Sequence, residues 1–201
     1  PDKPFIRNKL LEVNNISFGY SEKLILNKIS FVLSGDDRLQ IIGKNGCGKS
    51  TLIKLIMGDL NPHTGSINLN GHAVYLDQEL SLLSREKSIL ENMLDFNSGI
   101  NIQEAHAILA NFKFRNLYAD KKISCLSGGE ILRASLAVIL GTQKQPDLIV
   151  LDEPTNNLDI QSIKVLEEAL KQYQGAIIIV SHDNYFIQQI GITKKIILER
   201  S

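Results

Sequence analysis

The stretch Gly43-Lys44-Asn45-Gly46-Cys47-Gly48-Lys49-Ser50-Thr51 constrains this chain more than any other. It fits G-x-x-x-x-G-K-S/T, follows the apolar run 38–42 and leads into the amphipathic segment 51–57. Strand, glycine-rich loop and helix in that order call for a backbone that curls its N–H groups around an anion. The helix start adds about half a positive charge at the same place. Lys49 is placed to reach the β and γ phosphates of a nucleotide, and Ser50 to offer an oxygen to Mg²⁺. Gly43, Asn45, Gly46, Cys47, Gly48 and Thr51 complete the cradle. Cys47 lies near both the helix start and Lys49, which favour the thiolate, so either bulky thiol reagents block nucleotide binding and bound MgATP protects, or Cys47 is only a small residue in a tight loop with its thiol shielded.

The run Leu148-Ile149-Val150-Leu151-Asp152-Glu153-Pro154 describes a buried strand that delivers two carboxylates to a sheet edge. Asp152 is expected to hold Mg²⁺ through water and Glu153 to polarise the attacking water as a general base. Together with the loop, these acids point to hydrolysis of a nucleoside triphosphate. Leu126-Ser127-Gly128-Gly129-Glu130 sets a hydroxyl and two glycines before another helix. Alone it reads equally as a serine N-cap closed by Glu130 in a capping box, or as a second anion site. One nucleotide needs only one such helix start.

Short β-like patterns at 10–18 and 24–33 flank Gly19-Tyr20-Ser21, and further short strands at 66–69 and 72–76 flank Asn70-Gly71. Helical spacing follows at 84–94, at 102–112 and at 129–140. Within 102–112 one face carries Ile102, Ala105, Ile108, Leu109 and Phe112. Strand 148–151, helix 160–173, strand 176–180, a short helix after Asp183 and a strand near 196–198 complete an alternation that implies an α/β fold with a largely parallel sheet. Residues 1–9 read as the end of a linker, 10–201 as one domain, and about 84–140 as an inserted helical lobe. The opening Pro1 is expected of a fragment or a processed chain.

Charge supplies no shortcut to function. Lys plus Arg and Asp plus Glu are 22 each, so bulk charge indicates neither a nucleic-acid clamp nor a polybasic membrane binder. No apolar run approaches the roughly 18 residues of a membrane span, and two cysteines cannot build a multi-bridge framework. A cytoplasmic setting is the expectation. In Phe112-Lys113-Phe114-Arg115 the aromatics are expected to fill the helical lobe and the basic residues to be solvated, rather than to face RNA.

Taken together, the motifs resemble those of an ATP-binding cassette (ABC) domain over nearly the whole chain. The resemblance implies a P-loop NTPase with a mostly parallel central sheet, an N-terminal antiparallel β subdomain and an inserted α-helical signature subdomain. It implies ATP and Mg²⁺, and a second cassette, in the same longer chain or a homodimer, whose Ser127-Gly128-Gly129-Glu130 closes over ATP held by the first. It also places four residues. Tyr20 stacks on adenine, and Gln78, in Tyr75-Leu76-Asp77-Gln78-Glu79, senses Mg²⁺ and the attacking water. Asp159, in Asn156-Asn157-Leu158-Asp159, belongs to the loop that crosses between cassettes. His182, in Val180-Ser181-His182-Asp183, is a switch toward the γ-phosphate. Singly, these read as a packed turn tyrosine, a solvated glutamine and a neighbour of a helix cap.

The wording Asp152-Glu153-Pro154-Thr155-Asn156-Asn157-Leu158-Asp159 and the fifth signature residue Glu130 are similar to the ABC-F branch, cytosolic ATPases of the ribosome. The short interval from Gln78 to Ser127 leaves no room for an inserted arm, so the chain is most like a second cassette. The resemblance then implies a ribosome or rRNA partner and no direct membrane span. The alternative is the nucleotide-binding subunit of an ABC membrane transporter, with a transmembrane partner near Gln78. A purely structural clamp would need neither Glu153 nor His182, and a chromosome-maintenance ATPase would need long coiled coils.

Overall fold

Unbroken apolar runs such as 148–151 and 176–180 are stable as strands only where both faces of the sheet are covered. In the computed structural model, which describes residues 9–199 apart from 22 and 143, both runs lie inside a parallel sheet. The elements are β1 (Lys9–Tyr20), β2 (Lys23–Ser34), β3 (Arg38–Ile42), α1 (Lys49–Met57), β4 (Thr64–Leu69), β5 (Ala73–Leu76), α2 (Ile89–Phe96), α3 (Ile102–Asn111), α4 (Gly128–Leu140), β6 (Leu148–Asp152), α5 (Ile160–Gln172), β7 (Ala176–Val180), α6 (Asn184–Ile190) and β8 (Lys194–Ile197). Strands in the order β5-β6-β7-β3-β8 form a five-stranded sheet, parallel at every pairing. A second, antiparallel sheet has the order β2-β1-β4. The α/β fold with its parallel sheet and N-terminal antiparallel sheet is thus as expected.

Alternation along the buried strands divides two cores. Leu148 and Val150 of β6, with Ala176, Ile178 and Val180 of β7, pack with the antiparallel sheet and α1. Ile149, Leu151, Ile177 and Ile179 face the other way, onto α4, α5 and α6. Arg38 fastens the far end of the sheet. Its guanidinium donates to Ile190 O at 2.8 Å and to Tyr173 O at 3.0 Å, so one cation serves the carboxyl ends of α6 and α5.

Several local expectations need correction. The helix expected over 84–94 begins at Ile89, because Ser88 and Glu91 form a capping box. The preceding backbone is held instead by Asn92, which accepts from Ser84 N at 2.7 Å and donates to Ser84 O at 3.1 Å. In α3, Ile102 lies in the first turn and is 59% exposed, while Ala105 and Leu109 carry the buried face. The strands flanking Asn70-Gly71 join different sheets. Phe114 is buried, and Lys113 and Arg115 are exposed, as expected. The linker assigned to 1–9 lies outside the described residues except for Lys9, which opens β1.

Parallel strands all end on one edge, and in open α/β sheets that edge is where ligands bind. Here β3 leads into the glycine-rich loop, β5 into Gln78, β6 into Glu153 and β7 into His182. Segments more than a hundred residues apart therefore meet. No helix among the described residues is long and apolar enough to cross a membrane.

Candidate nucleotide site

Helix α1 starts from Gly48, whose φ of 102° lies in the left-handed region, and no side chain caps it. Its first N–H groups are left for a ligand. A Cβ at Gly48 would approach the side-chain ends Ile25 Cγ2 to 2.7 Å and Leu26 Cδ2 to 2.9 Å, which would have to shift, and the positive φ itself favours glycine there. Lys49 Nζ donates to Gly43 O at 2.7 Å and to Lys44 O at 3.3 Å, which holds the ammonium across the loop. Of the two readings of Cys47, burial favours the shielded one. Cys47 is 2% exposed and packs in the core beneath the loop, which shields its thiol.

A cavity of about 750 Å³ opens beside the loop, lined by Asn45, Gly46, Gly48, Lys49, Ser50 and Thr51. Gln78, Asp152, Glu153 and His182 complete it. Ser50 Oγ donates to Asp152 Oδ2 at 3.0 Å, joining the loop to the end of β6. Tyr75 OH donates to the same oxygen at 3.4 Å, and burial together with the Asp152 charge pushes its phenol well above the usual range. Glu153 sits at φ 49°, a left-handed conformation that side chains rarely adopt, held by its own N–H to Val180 O at 2.8 Å. His182 Nε2 lies 3.3 Å from Glu153 Oε1, and His182 N donates to Glu153 Oε2 at 3.4 Å.

Other expected residues are placed elsewhere. Tyr20 is 49% exposed, meets the Phe18 ring edge-on at 5.2 Å and does not line the cavity; Ile25 does. Tyr75, Asp77, Glu79 and Asn156 line it too. Their nearness to Gln78 and Glu153 in sequence was the available signal, whereas nothing local marked Ile25. Asp159 Oδ1 accepts from Ser162 N at 2.7 Å as the cap of α5.

Ser127, Gly128, Gly129 and Glu130 lie outside the cavity that Lys49 lines. Ser127 caps α4 and Glu130 closes the box, accepting from Ser127 N at 2.8 Å. Gly129 meets the start of α5, where a Cβ would strike Ser162 Oγ. A Cβ at Gly128 would meet nothing within 4 Å, so the described chain itself does not require glycine there.

The Tyr118 hydroxyl donates to Glu130, and with the bonds from Ser127 this holds the carboxyl at about 2, below its ordinary 4.5. A carboxyl depressed on folding contributes stability above its ordinary value and loses that contribution as the pH falls toward the folded one. The wild-type advantage over Glu130→Gln in urea is therefore expected to be complete near about pH 6 and to shrink from about pH 4.5 toward pH 2. An advantage constant through that range would contradict the role given to the carboxylate.

The family model described as ABC transporter matches residues 26–156. The chain is 41% identical over 185 residues to ABC transporter F family member 2 of Arabidopsis thaliana, covering 90% of this chain and 27% of that protein. It is 34% identical over 201 residues to energy-dependent translational throttle protein EttA of Escherichia coli, covering 95% of this chain and 35% of that one. The chain thus spans between 27% and 40% of the length of these and similar curated relatives. Among solved structures, a chain of an inward-facing metal-chelate type ABC transporter superposes with a TM-score of 0.77 at 26% identity, covering 96% of this chain and 81% of that chain.

Proposed function

Since the chain belongs to the ABC transporter family, as an ATP-binding cassette ATPase domain similar to the F members, we propose that it is one of two cassettes that close on MgATP and act on the ribosome. The observation that carries the pairing is the separation of the two anion sites. Lys49 and Ser50 line one cavity, whereas the helix start at Gly128 lies outside it and faces open space. A second cassette brings its own such helix start to complete the site. We read residues 10–201 as the cassette and about 84–140 as its helical lobe.

The residues present suit Mg²⁺. Ser50 Oγ and Asp152 Oδ2, 3.0 Å apart, are hard oxygens on the loop and the acidic strand. The Gln78 amide borders the same cavity. One or two protein oxygens, with water and phosphate supplying the rest, is how this ion is commonly held. When bound, it supplies positive charge to the phosphate oxygens as the terminal bond breaks.

The chain's own groups divide the remaining work. Lys49 and the α1 N–H groups bind the phosphates and stabilise their negative charge. Glu153 takes a proton from the water that attacks the γ-phosphorus, and His182, in contact with it, orients the carboxylate. Cytoplasmic location and a ribosomal target are supported by the likeness to a protein named for throttling translation.

The test uses the full-length protein with Glu153→Gln and its counterpart in the other cassette, which holds the closed state. It is expected to sediment with ribosomes in ATP and to leave them without nucleotide. Because this cassette itself carries no net formal charge, its own contribution to that association is expected to depend on ATP more than on salt. Sedimentation with membranes alone would favour a transporter subunit and overturn the ribosomal assignment while leaving the ATPase intact.

A further inference from the structure

Behind His182 lies a second cavity of about 580 Å³, with Gln40, Ser181, His182, Asn184, Gln188 and Lys195 in its walls. His182 borders both this cavity and the nucleotide cavity. Gln40 is in the middle of β3, paired in register with Ile179 of β7, and is 6% exposed. Its neighbours Leu39 and Ile41 are each 1% exposed and apolar. A buried amide in such a strand is costly unless its polar atoms are used.

One of those atoms reaches the catalytic edge. Gln40 Nε2 donates to Ser181 O at 3.3 Å, while Oε1 has no hydrogen-bond partner among the described residues. Ser181 O and His182 N belong to one peptide unit, and that N–H donates to Glu153 Oε2 at 3.4 Å. The amide, the peptide and the carboxylate thus form a single chain of hydrogen bonds. A donor on the carbonyl polarises the peptide and strengthens its N–H as a donor. Gln40 itself does not line the nucleotide cavity.

We propose that Gln40 is a positioning residue for hydrolysis, fixing and polarising the Ser181–His182 peptide so that it holds the Glu153 carboxylate and presents His182 to the nucleotide. This rests on the roles given above to Glu153 and His182. The acceptor Oε1 is itself buried and has no hydrogen-bond partner among the described residues, so the amide's one bond is the one to Ser181 O. A residue that only filled space in β3 would be replaceable by an apolar side chain of the same length.

The experiment measures kcat and KM for ATP, with a melting curve at each pH, on the full-length protein carrying wild type, Gln40→Met, Gln40→Glu or Glu153→Gln in this cassette. Methionine keeps the volume and removes the donor. It is expected to lower kcat roughly tenfold, the size of one hydrogen bond lost from the transition state, with KM within about twofold.

Glutamate supplies the signature that packing alone would not. Its protonated form donates to Ser181 O, and its ionised form repels that oxygen. Its kcat relative to wild type is therefore expected to be highest near about pH 6 and to fall toward about pH 9, since burial raises a carboxyl into that range. His182 and Lys195 in the cavity walls, Glu153 on the His182 N–H and Asp183, whose N–H donates to Ser181 Oγ, are the titratable neighbours, and wild type measured alongside carries the same groups.

A wild-type kcat for Gln40→Met overturns the proposal, as does a loss confined to KM or a Gln40→Glu ratio flat with pH. If Gln40→Met melts below the assay temperature, the Gln40→Glu ratio at pH values where that variant is folded decides. Full turnover by Glu153→Gln would bring down the parent reading as well, whereas a defective Glu153→Gln beside a normal Gln40→Met rejects this proposal alone.

Discussion

Glu153→Gln is expected to lower ATP turnover by roughly 10²–10⁴ and to leave nucleotide binding nearly intact, the pattern for losing a general base. Glutamine keeps the shape and the neighbours of Glu153 but cannot accept the proton of the attacking water. The position is prepared for that task. Its side chain is 12% exposed against 64% for His182, so the carboxylate is the more sheltered partner of the pair. The left-handed φ of 49° is held by the N–H bond to Val180 O, and backbone strain of this kind concentrates where a side chain must be aimed. Lys49→Ala is the contrasting variant and should weaken binding itself. Single-turnover hydrolysis beside equilibrium nucleotide binding distinguishes the two, and equal single-turnover rates for wild type and Glu153→Gln would remove Glu153 from its role.

The candidate nucleotide edge was legible because the chemistry expected of it fixes both residue type and spacing. A loop that must expose N–H groups needs Gly48 and Lys49 next to a helix start, and 38–42 and 176–180 match β3 and β7 to the residue. Strand order was not legible. That β7 lies between β6 and β3 is decided by which buried faces fit, and no local pattern encodes it. Periodicity also misplaced the start of α2, since the Asn92 side chain satisfies backbone at Ser84 that a helix would otherwise claim. Charge reasoning left Cys47 open for a related cause: nearness to Lys49 in sequence says nothing about which side of the loop faces the core. Gln40 escaped notice because a lone amide in an apolar strand acquires its meaning only from β7 beside it.

Phe114→Ala is expected to cost the domain about 3–5 kcal/mol, the usual range for emptying a buried phenylalanine site. The side chain is fully buried in the core shared by α2, α3 and α4. Its ring lies 5.9 Å from that of Tyr118, and the Arg133 guanidinium stands 5.0 Å from its centroid. The backbone at the site is tied by Phe114 N to Leu109 O at 2.9 Å, and Lys113 before it holds a φ of 67°. For a chain of this size the loss corresponds to a melting point lower by roughly 6–20 °C. It is also a large part of the about 5–15 kcal/mol that such domains possess. The damage should reach function through Tyr118. The ring that Phe114 supports carries the hydroxyl that holds Glu130, and Glu130 holds the N-cap Ser127 in front of Gly128. Urea unfolding of the isolated chain measures the first effect, and ATP-dependent pairing of cassettes at a temperature where the variant is folded measures the second. Phe114→Leu, which leaves a smaller void, should fall between wild type and alanine in both. A Phe114→Ala midpoint within error of wild type would mean that the lobe repacks around the gap, and the support given to the signature helix start would have to come from elsewhere in α4.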